Sequence, residues 1–208
     1  MLTIAGLITF NGIIIQNLGF TSIESSLLAM PTGVMSTLAS IFFSILAAKW
    51  SNRRCLVCMI ACLVPITGTA ILYGVSRTAV GAQLVGLYLC YAYFGPYIVG
   101  ISLAQANTAG HTKKNIQFSI LYIGYAVGNL IGPQTFRSEQ APAYTGGVVA
   151  MLVCYCVCIG LMAIYWALCV FQNRGVVTPA IEIEDEGMAA ENFRDVTDLK
   201  QEGFKYTT

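Results

Sequence analysis

CLVCMIACLVPITGTAILYGV, residues 55–75, decides the fold of this chain. The run carries no charge and is bracketed by Arg53 and Arg54 on one side and Arg77 on the other. A hydrocarbon core about 30 Å thick is crossed by about 20 mostly apolar residues in an α-helix, and this run has that length. A membrane barrel strand would instead alternate polar and apolar residues over about ten positions. The run is therefore read as a transmembrane helix.

The same punctuation recurs on both sides. Apolar runs cover Met1 to about Gln16, Ser25–Ala48, about Val80 to Gln105, Asn115–Phe136 and about Gly147 to Phe171, so six spans are expected, the first of them short. Lys, Arg and His mark their ends, at Lys49, Arg53 and Arg54, Arg77, then His111, Lys113 and Lys114, Arg137 and Arg174. Before Arg174 the only acids are Glu24 and Glu139. Hydrophobic residues make up 56% and charged residues 10%, against about 25% charged in soluble domains. The fold class expected is an all-α integral membrane protein with no nucleic-acid signature.

Residues 1–174 form the expected helical bundle and residues 175–208 an acidic tail. The run Glu182–Glu186 and the polar stretch to Thr208 hold too little apolar surface to fold alone, so the tail is expected to be disordered. Short loops on the cytoplasmic side concentrate Lys and Arg. One side collects Lys49, Arg53, Arg54, Lys113, Lys114 and Arg174 against Arg77 and Arg137 on the other, which places the tail in the cytosol. Met1 stands inside a span, with no basic segment before it and no cleavage site after it, so no secretory signal is read there. The first helix is expected to be truncated and the chain a fragment.

Eight cysteines lie in or beside the spans. Cys55 and Cys58 form a CxxC, but no second pair or histidine stands at zinc-finger spacing, so they read as small apolar residues. No metal or cofactor is expected. Paired acids, an HExxH string and a nucleophile elbow are all missing, and His111 has no catalytic neighbour in sequence, so the chain is not read as an enzyme.

Small residues mark close helix packing, because lipid supplies no hydrophobic drive to association. Ser36, Ser40 and Ser44 form one such stripe, and Gly124, Gly128 and Gly132 another. Tyr122, Tyr125 and Asn129 lie roughly 200° around the fifth span from the glycines at about 100° per residue. Polar groups at that depth face protein or a water-filled cavity. The fourth span holds Tyr91 and Tyr93 before Gly95 and Pro96, where proline removes a backbone donor and bends the helix. Interrupted spans of this kind lie near transport sites. The candidate substrate-binding residues are thus Tyr91, Tyr93, Tyr122, Tyr125 and Asn129, with static kinks and interhelical bonding as the competing reading. Glu24 is expected to cap the second helix.

The string Asn107-Thr-Ala-Gly-His-Thr-Lys-Lys114 resembles the loop between the tenth and eleventh helices of the allantoate permease branch of the anion:cation symporters, in the major facilitator superfamily. The likeness continues through Ile123-Gly124-Tyr125, Gly128-Asn129, Ile131-Gly132-Pro133-Gln134 and Gln140-Ala141-Pro142, with Tyr144, Gly146 and Gly147. Leu18-Gly19-Phe20-Thr21 and Met30-Pro31-Thr32-Gly33 look like the family's seventh and eighth helices, and Phe193–Leu199 and Phe204–Tyr206 like its ending. The loop Lys49–Arg54 is similar to a basic loop of the superfamily, though it lacks the usual Gly and Asp. The resemblance implies helices seven to twelve of a twelve-helix carrier at the plasma membrane. It also implies a missing N-terminal half and a small organic anion as substrate, such as allantoate, ureidosuccinate or a vitamin carboxylate, taken up with protons. No ionisable residue occupies the middle of a span, so the charge chemistry is expected in the absent half. A transport-inactive membrane scaffold or partner subunit is the alternative.

Overall fold

The computed structural model describes residues 2–50, 52–76, 78–141, 144–174, 197–198 and 204–208. Met1, Ser51, Arg77, Pro142, Phe193, Leu199 and the acidic run Glu182–Glu186 lie outside the described residues, as do the side chains of residues 2–5 and of Ser138. Among the described residues seven α-helices follow one another: α1 Leu2–Gln16, α2 Ser22–Lys49, α3 Arg54–Gly74, α4 Val80–Cys90, α5 Phe94–Ala106, α6 His111–Ile131 and α7 Thr145–Arg174. They correspond to the six expected spans, because α4 and α5 are two parts of the fourth, joined by a 3₁₀ turn at Tyr91–Tyr93. There is no strand among the described residues.

Local chemistry sets the helix ends. Thr21 and Glu24 form a capping box: the Thr21 backbone N–H donates to Glu24 Oε2 at 2.9 Å, and the Glu24 N–H donates back to Thr21 Oγ1 at 3.4 Å. Two orphan donors of the first turn are thereby satisfied, and α2 starts at Ser22, before the expected Ser25. Gly110 precedes α6 at φ +88°, a left-handed conformation that glycine adopts without steric cost. That turn lets the basic residues His111–Lys114 enter the helix, so α6 begins before the expected Asn115. Pro96 has no N–H for the Ala92 carbonyl, and the chain tightens into the 3₁₀ turn just upstream.

α3 is the centre of the bundle, packing on α4, α5 and α7, while α2 packs on α5 and α1 on α6. One core cluster gathers Leu7 and Ile15 of α1 with Leu87, Tyr91, Tyr93, Phe136, Met151 and Tyr155. A second joins Phe43 and Ala47 of α2 to Val57, Cys58 and Ala61 of α3 and Val99 of α5. Between α3 and α4 the backbones nearly touch at Gly68. A methyl group there would lie 2.7 Å from the Gly86 carbonyl oxygen and 2.8 Å from the Cys90 nitrogen.

The two stripes of small residues behave differently from the packing seams expected of them. Ser36, Ser40 and Ser44 are only half-buried, and the hydroxyls of Ser36 and Ser40 donate to carbonyls of their own helix, at 2.8 and 2.7 Å. The α2–α5 contact is made where the Phe43 ring lies over Gly95. Gly128 and Gly132 are buried, but Gly124 is exposed, with nothing within 4 Å of where its Cβ would stand.

The tail also departs from the expected disorder in its described residues, which dock on the end of the bundle that carries Lys49, Arg53, Arg54 and Lys113. Asn107 Nδ2 donates to the Thr207 carbonyl at 2.8 Å, and the Thr207 N–H donates to Asn107 Oδ1 at 2.7 Å. Asn173 grips Tyr206 the same way, at 2.7 and 2.9 Å. The Thr208 N–H donates to Asn52 Oδ1 at 3.3 Å. Lys113 pairs with Asp198, which also accepts the Tyr206 hydroxyl at 2.8 Å. Each hydrogen bond contributes a net ~0.5–1.5 kcal/mol, whereas fixing a residue's backbone costs ~1–2 kcal/mol. The docked segment therefore sits near balance.

Burial alone would raise the Asp198 carboxyl, but hydrogen bonds from Lys113 and Tyr206 and the attraction of the ammonium outweigh it and hold the group below its ordinary 3.8. Burial and the bond to Asp198 push Tyr206 up to about 12, so its hydroxyl stays a donor at neutral pH.

Two expectations follow. Gly68→Ala forces backbone apart and costs about 1–3 kcal/mol, whereas Gly12→Ala, with open space around it, is neutral or stabilises by up to ~1 kcal/mol; melting temperatures in detergent should fall in that order. A carboxyl with a depressed folded pKa contributes fully above the ordinary carboxylate range and loses its contribution only as pH falls through the depressed value. The intrinsic-rate-corrected hydrogen-exchange protection of the Tyr206 and Thr207 amides should therefore match at pH 7 and pH 5. In Asp198→Asn it should drop at both, by ~1 kcal/mol or less because the Lys113 side chain is 40% exposed.

Candidate functional site

Pro96 and the 3₁₀ turn swing the fourth span so that Tyr93 and Tyr97 point into spaces beside α6. The larger space, about 300 Å³, lies among α3, α5, α6 and α7 and is lined by Tyr93, Pro96, Tyr97, Leu121, Tyr155 and Met162, with Cys58, Cys62, Cys154 and Cys158 along one wall. Next to it is a pocket of about 90 Å³ between Tyr97 and Ile101 of α5 and Phe118, Leu121, Tyr122 and Tyr125 of α6. Tyr97, Ile101 and Leu121 belong to both, so the two spaces are continuous along the α5–α6 face.

The five sequence candidates do not all meet here. Tyr93 is 3% exposed, and its hydroxyl has no hydrogen-bond partner among the described residues although it lines the larger cavity. A buried hydroxyl left in that state costs about 1–3 kcal/mol, so its position needs a partner from outside the described residues. Tyr122 and Tyr125 are 68% and 41% exposed, turned outward from the bundle beside Tyr97. Tyr91 packs into the core cluster against Tyr93, ring centroids 6.1 Å apart, and lines neither space. Asn129 is half-buried on α6 and also lines neither.

Tyr97 is the residue the sequence reading passed over. It stands one helical turn after Tyr93, and that i, i+4 spacing past the proline was the available signal. Asn11 in the middle of α1 was also missed; it is 8% exposed, with an Oδ1 that lacks a partner among the described residues.

At the basic end a third cavity of about 450 Å³ lies between α5, α6 and α7. Asn107, Lys113, Gln117 and Tyr165 line it together with Asp198 and Tyr206 of the tail. Asn107 Nδ2 reaches the Tyr165 hydroxyl at 2.8 Å, and Gln117 Oε1 is buried without a partner among the described residues. Arg54 donates to Ser102 Oγ at 3.3 Å, tying α3 to α5, while Lys49, Arg53 and His111 are exposed. All eight cysteines carry free thiols, and no group of three metal-ligating side chains gathers among the described residues.

Four of the helical spans, α2, α3, α4 with α5, and α7, are long and apolar enough to cross a membrane. The apolar helix Gly6–Gln16 of α1 is shorter. No family profile matches the chain, and no solved structure does. Relatives do. "MFS-type transporter cnsL" of Penicillium expansum is 47% identical over 98% of this chain and 42% of its own length. An uncharacterised transporter of Schizosaccharomyces pombe is 35% identical over 97% and 40%. "Allantoate permease" of Saccharomyces cerevisiae is 32% identical over 97% and 39%. The chain thus spans about two fifths of the length of the curated relatives it matches, and the names they carry are those of transporters, a class apart from enzymes. Membrane-length apolar helices and similarity along nearly the whole chain to transporters of the major facilitator type make it an integral membrane protein and support that superfamily as its family.

Proposed function

We propose that this chain is the second half of a twelve-helix major facilitator transporter, and that the α5–α6 face borders the path of a small organic anion taken up with protons by alternating access. The observation that carries the reading is the character of α6. Among the described residues, of the helices long enough to span a membrane, it alone falls outside the apolar set. It bears Gln117, Ser119, Tyr122, Tyr125 and Asn129, and α1 is its chief packing neighbour. Hydrocarbon gives such groups no partner, so in a complete carrier this face looks onto protein or water. Substrates of these carriers lie near the midplane between two halves, where interrupted helices present backbone and side-chain groups. Tyr93, Tyr97, Tyr122 and Tyr125 are placed to offer hydroxyls to a carboxylate or ureido group there.

The similarity to an allantoate permease supports an organic anion of that kind, a ureido acid or a vitamin carboxylate. None of α2–α7 carries a charge near its middle, so the anion's counter-charge and the coupled proton belong to the first half.

Uptake of labelled allantoate, ureidosuccinate, nicotinate and pantothenate by transport-deficient cells tests this. The upstream-extended protein should import at least one of them and the 208-residue chain alone none; import of none by an extended protein shown to reach the membrane would overturn the reading. In the active form, Tyr93→Phe should reduce uptake about tenfold, the loss of one hydrogen bond of ~1.4 kcal/mol. The same change should leave the melting temperature equal or higher, because a buried unsatisfied group is removed. A fall in both would mean that the hydroxyl serves packing and not substrate.

A further inference from the structure

The seat of the tail lies at the basic end, on a cavity that shares Gly100 and Met162 with the larger tyrosine-lined space, and its construction is specific. Asn107 and Asn173 each donate to the carbonyl and accept from the N–H of a single residue, Thr207 and Tyr206 respectively. Such paired amides imitate a neighbouring β-strand, so they read extended main chain and not side-chain identity. Asn52, itself in the left-handed conformation at φ +64°, takes the next residue, Thr208. Three successive residues are thus held by the α2–α3 connection, the α5–α6 connection and the last turn of α7. Asp198 and the Tyr206 hydroxyl complete the seat by covering the ammonium of Lys113.

We infer that residues 204–208, with Asp198, are a releasable strap: a peptide ligand carried by the chain itself, seated in a main-chain-reading site that ties the α2–α3 and α5–α6 connections to the end of α7 and neutralises Lys113. Release is within reach because every directional contact is a hydrogen bond or ion pair for which water competes, and the ordering cost of the segment is of similar size. Segments of this kind populate the low-stability end of a protein's opening events. Once the strap leaves, Lys113 has lost its counter-ion on the wall of the 450 Å³ cavity, beside Gln117 Oε1, which lacks a partner among the described residues, and beside the Asn107 amide, which keeps its bond to the Tyr165 hydroxyl. The wall of that cavity then changes from a neutral pair to an unpaired cation, at an end of the bundle that already carries Lys49, Arg53 and Arg54. If the transport reading above holds, that change presents an anion-attracting surface at the end from which substrate leaves, and the strap regulates it.

Cys169 reports on the seat directly. It is 2% exposed and lies beneath Asn107, 3.9 Å from its Nδ2, whereas Cys90, fully buried in the α3–α4 core, serves as a control for intact packing. Detergent-solubilised protein and a variant lacking residues 204–208 are treated with a bulky hydrophilic maleimide, and modification of each cysteine is followed by peptide mass spectrometry. Removal of the segment should speed Cys169 labelling at least tenfold and leave Cys90 unlabelled. The free peptide Phe-Lys-Tyr-Thr-Thr should restore protection, and the same peptide with N-methylated Tyr and Thr amides should not. An unchanged Cys169 rate, exposure of Cys90 as well, or equal rescue by both peptides would each overturn the strap. Absence of uptake in cells by both the intact and shortened forms bears on the transport reading alone, since thiol rates decide the strap without it.

Discussion

Hydrocarbon offers a polar group no hydrogen-bond partner, and the rest of the structure answers to that shortage. Backbone groups are satisfied inside helices, and small polar side chains turn back on the same helices. Ser36 and Thr37 donate to the Gly33 carbonyl, Ser40 to Ser36, Ser119 to Asn115, and Thr69 to the carbonyls of Pro65 and Ile66. Hydroxyls engaged in this way cannot link one helix to the next, so association falls to shape, and α3 approaches α4 closely enough at Gly68 to exclude even a methyl group. A few polar bonds do cross between elements, such as Tyr88 to the Leu28 carbonyl at 2.9 Å and Gln83 to the Val75 carbonyl at 2.7 Å.

How much of this could be read from the chain divides along the same line. The spans were legible because the spacing of Arg and Lys against apolar runs is a one-dimensional signal set by bilayer thickness, and the break before Pro96 because proline's missing donor acts on a known residue upstream. Glu24 as a cap followed from its place at the start of the second helix, where negative charge is favoured. The packing seams were not legible. A stripe of serines or glycines at intervals of four has the same sequence signature whether it faces a helix or open space, and only the three-dimensional neighbours separate buried Gly128 from exposed Gly124. For the candidate site the periodicity identified the polar face of α6, but it could not tell that Tyr91 turns into the core while Tyr93, two residues on, lines a cavity. The 3₁₀ turn rotates successive residues by about 120°, in place of the 100° of an α-helix, and that difference reassigns the faces.

The seat for Tyr206, Thr207 and Thr208 was not legible for a related reason. The tail's low apolar content gave no reason to expect a core of its own, but Asn107 and Asn173 supply donors and acceptors in matched pairs for the main chain of Thr207 and Tyr206, and Asn52 accepts from Thr208. Such a site has no local sequence signature, since Asn52, Asn107 and Asn173 meet the tail at separations of 156, 100 and 33 residues.

Charge placement joins these two halves of the structure. A cation or anion left unpaired at mid-membrane costs several kcal/mol or more, and the chain meets this by keeping the middles of its spans neutral and placing charge at their ends, most of it at one end of the bundle, where water can screen it. Screening comes at the expense of strength, because a partly exposed pair such as Lys113 and Asp198 is worth ~1 kcal/mol or less. The same weakness makes the pair reversible. A buried ion pair would fix the end of the bundle permanently, whereas a half-exposed one, backed by main-chain hydrogen bonds that water can replace, leaves the docked segment close to the balance between bound and free. The bundle is thus rigid where lipid surrounds it and adjustable where its charges meet solvent.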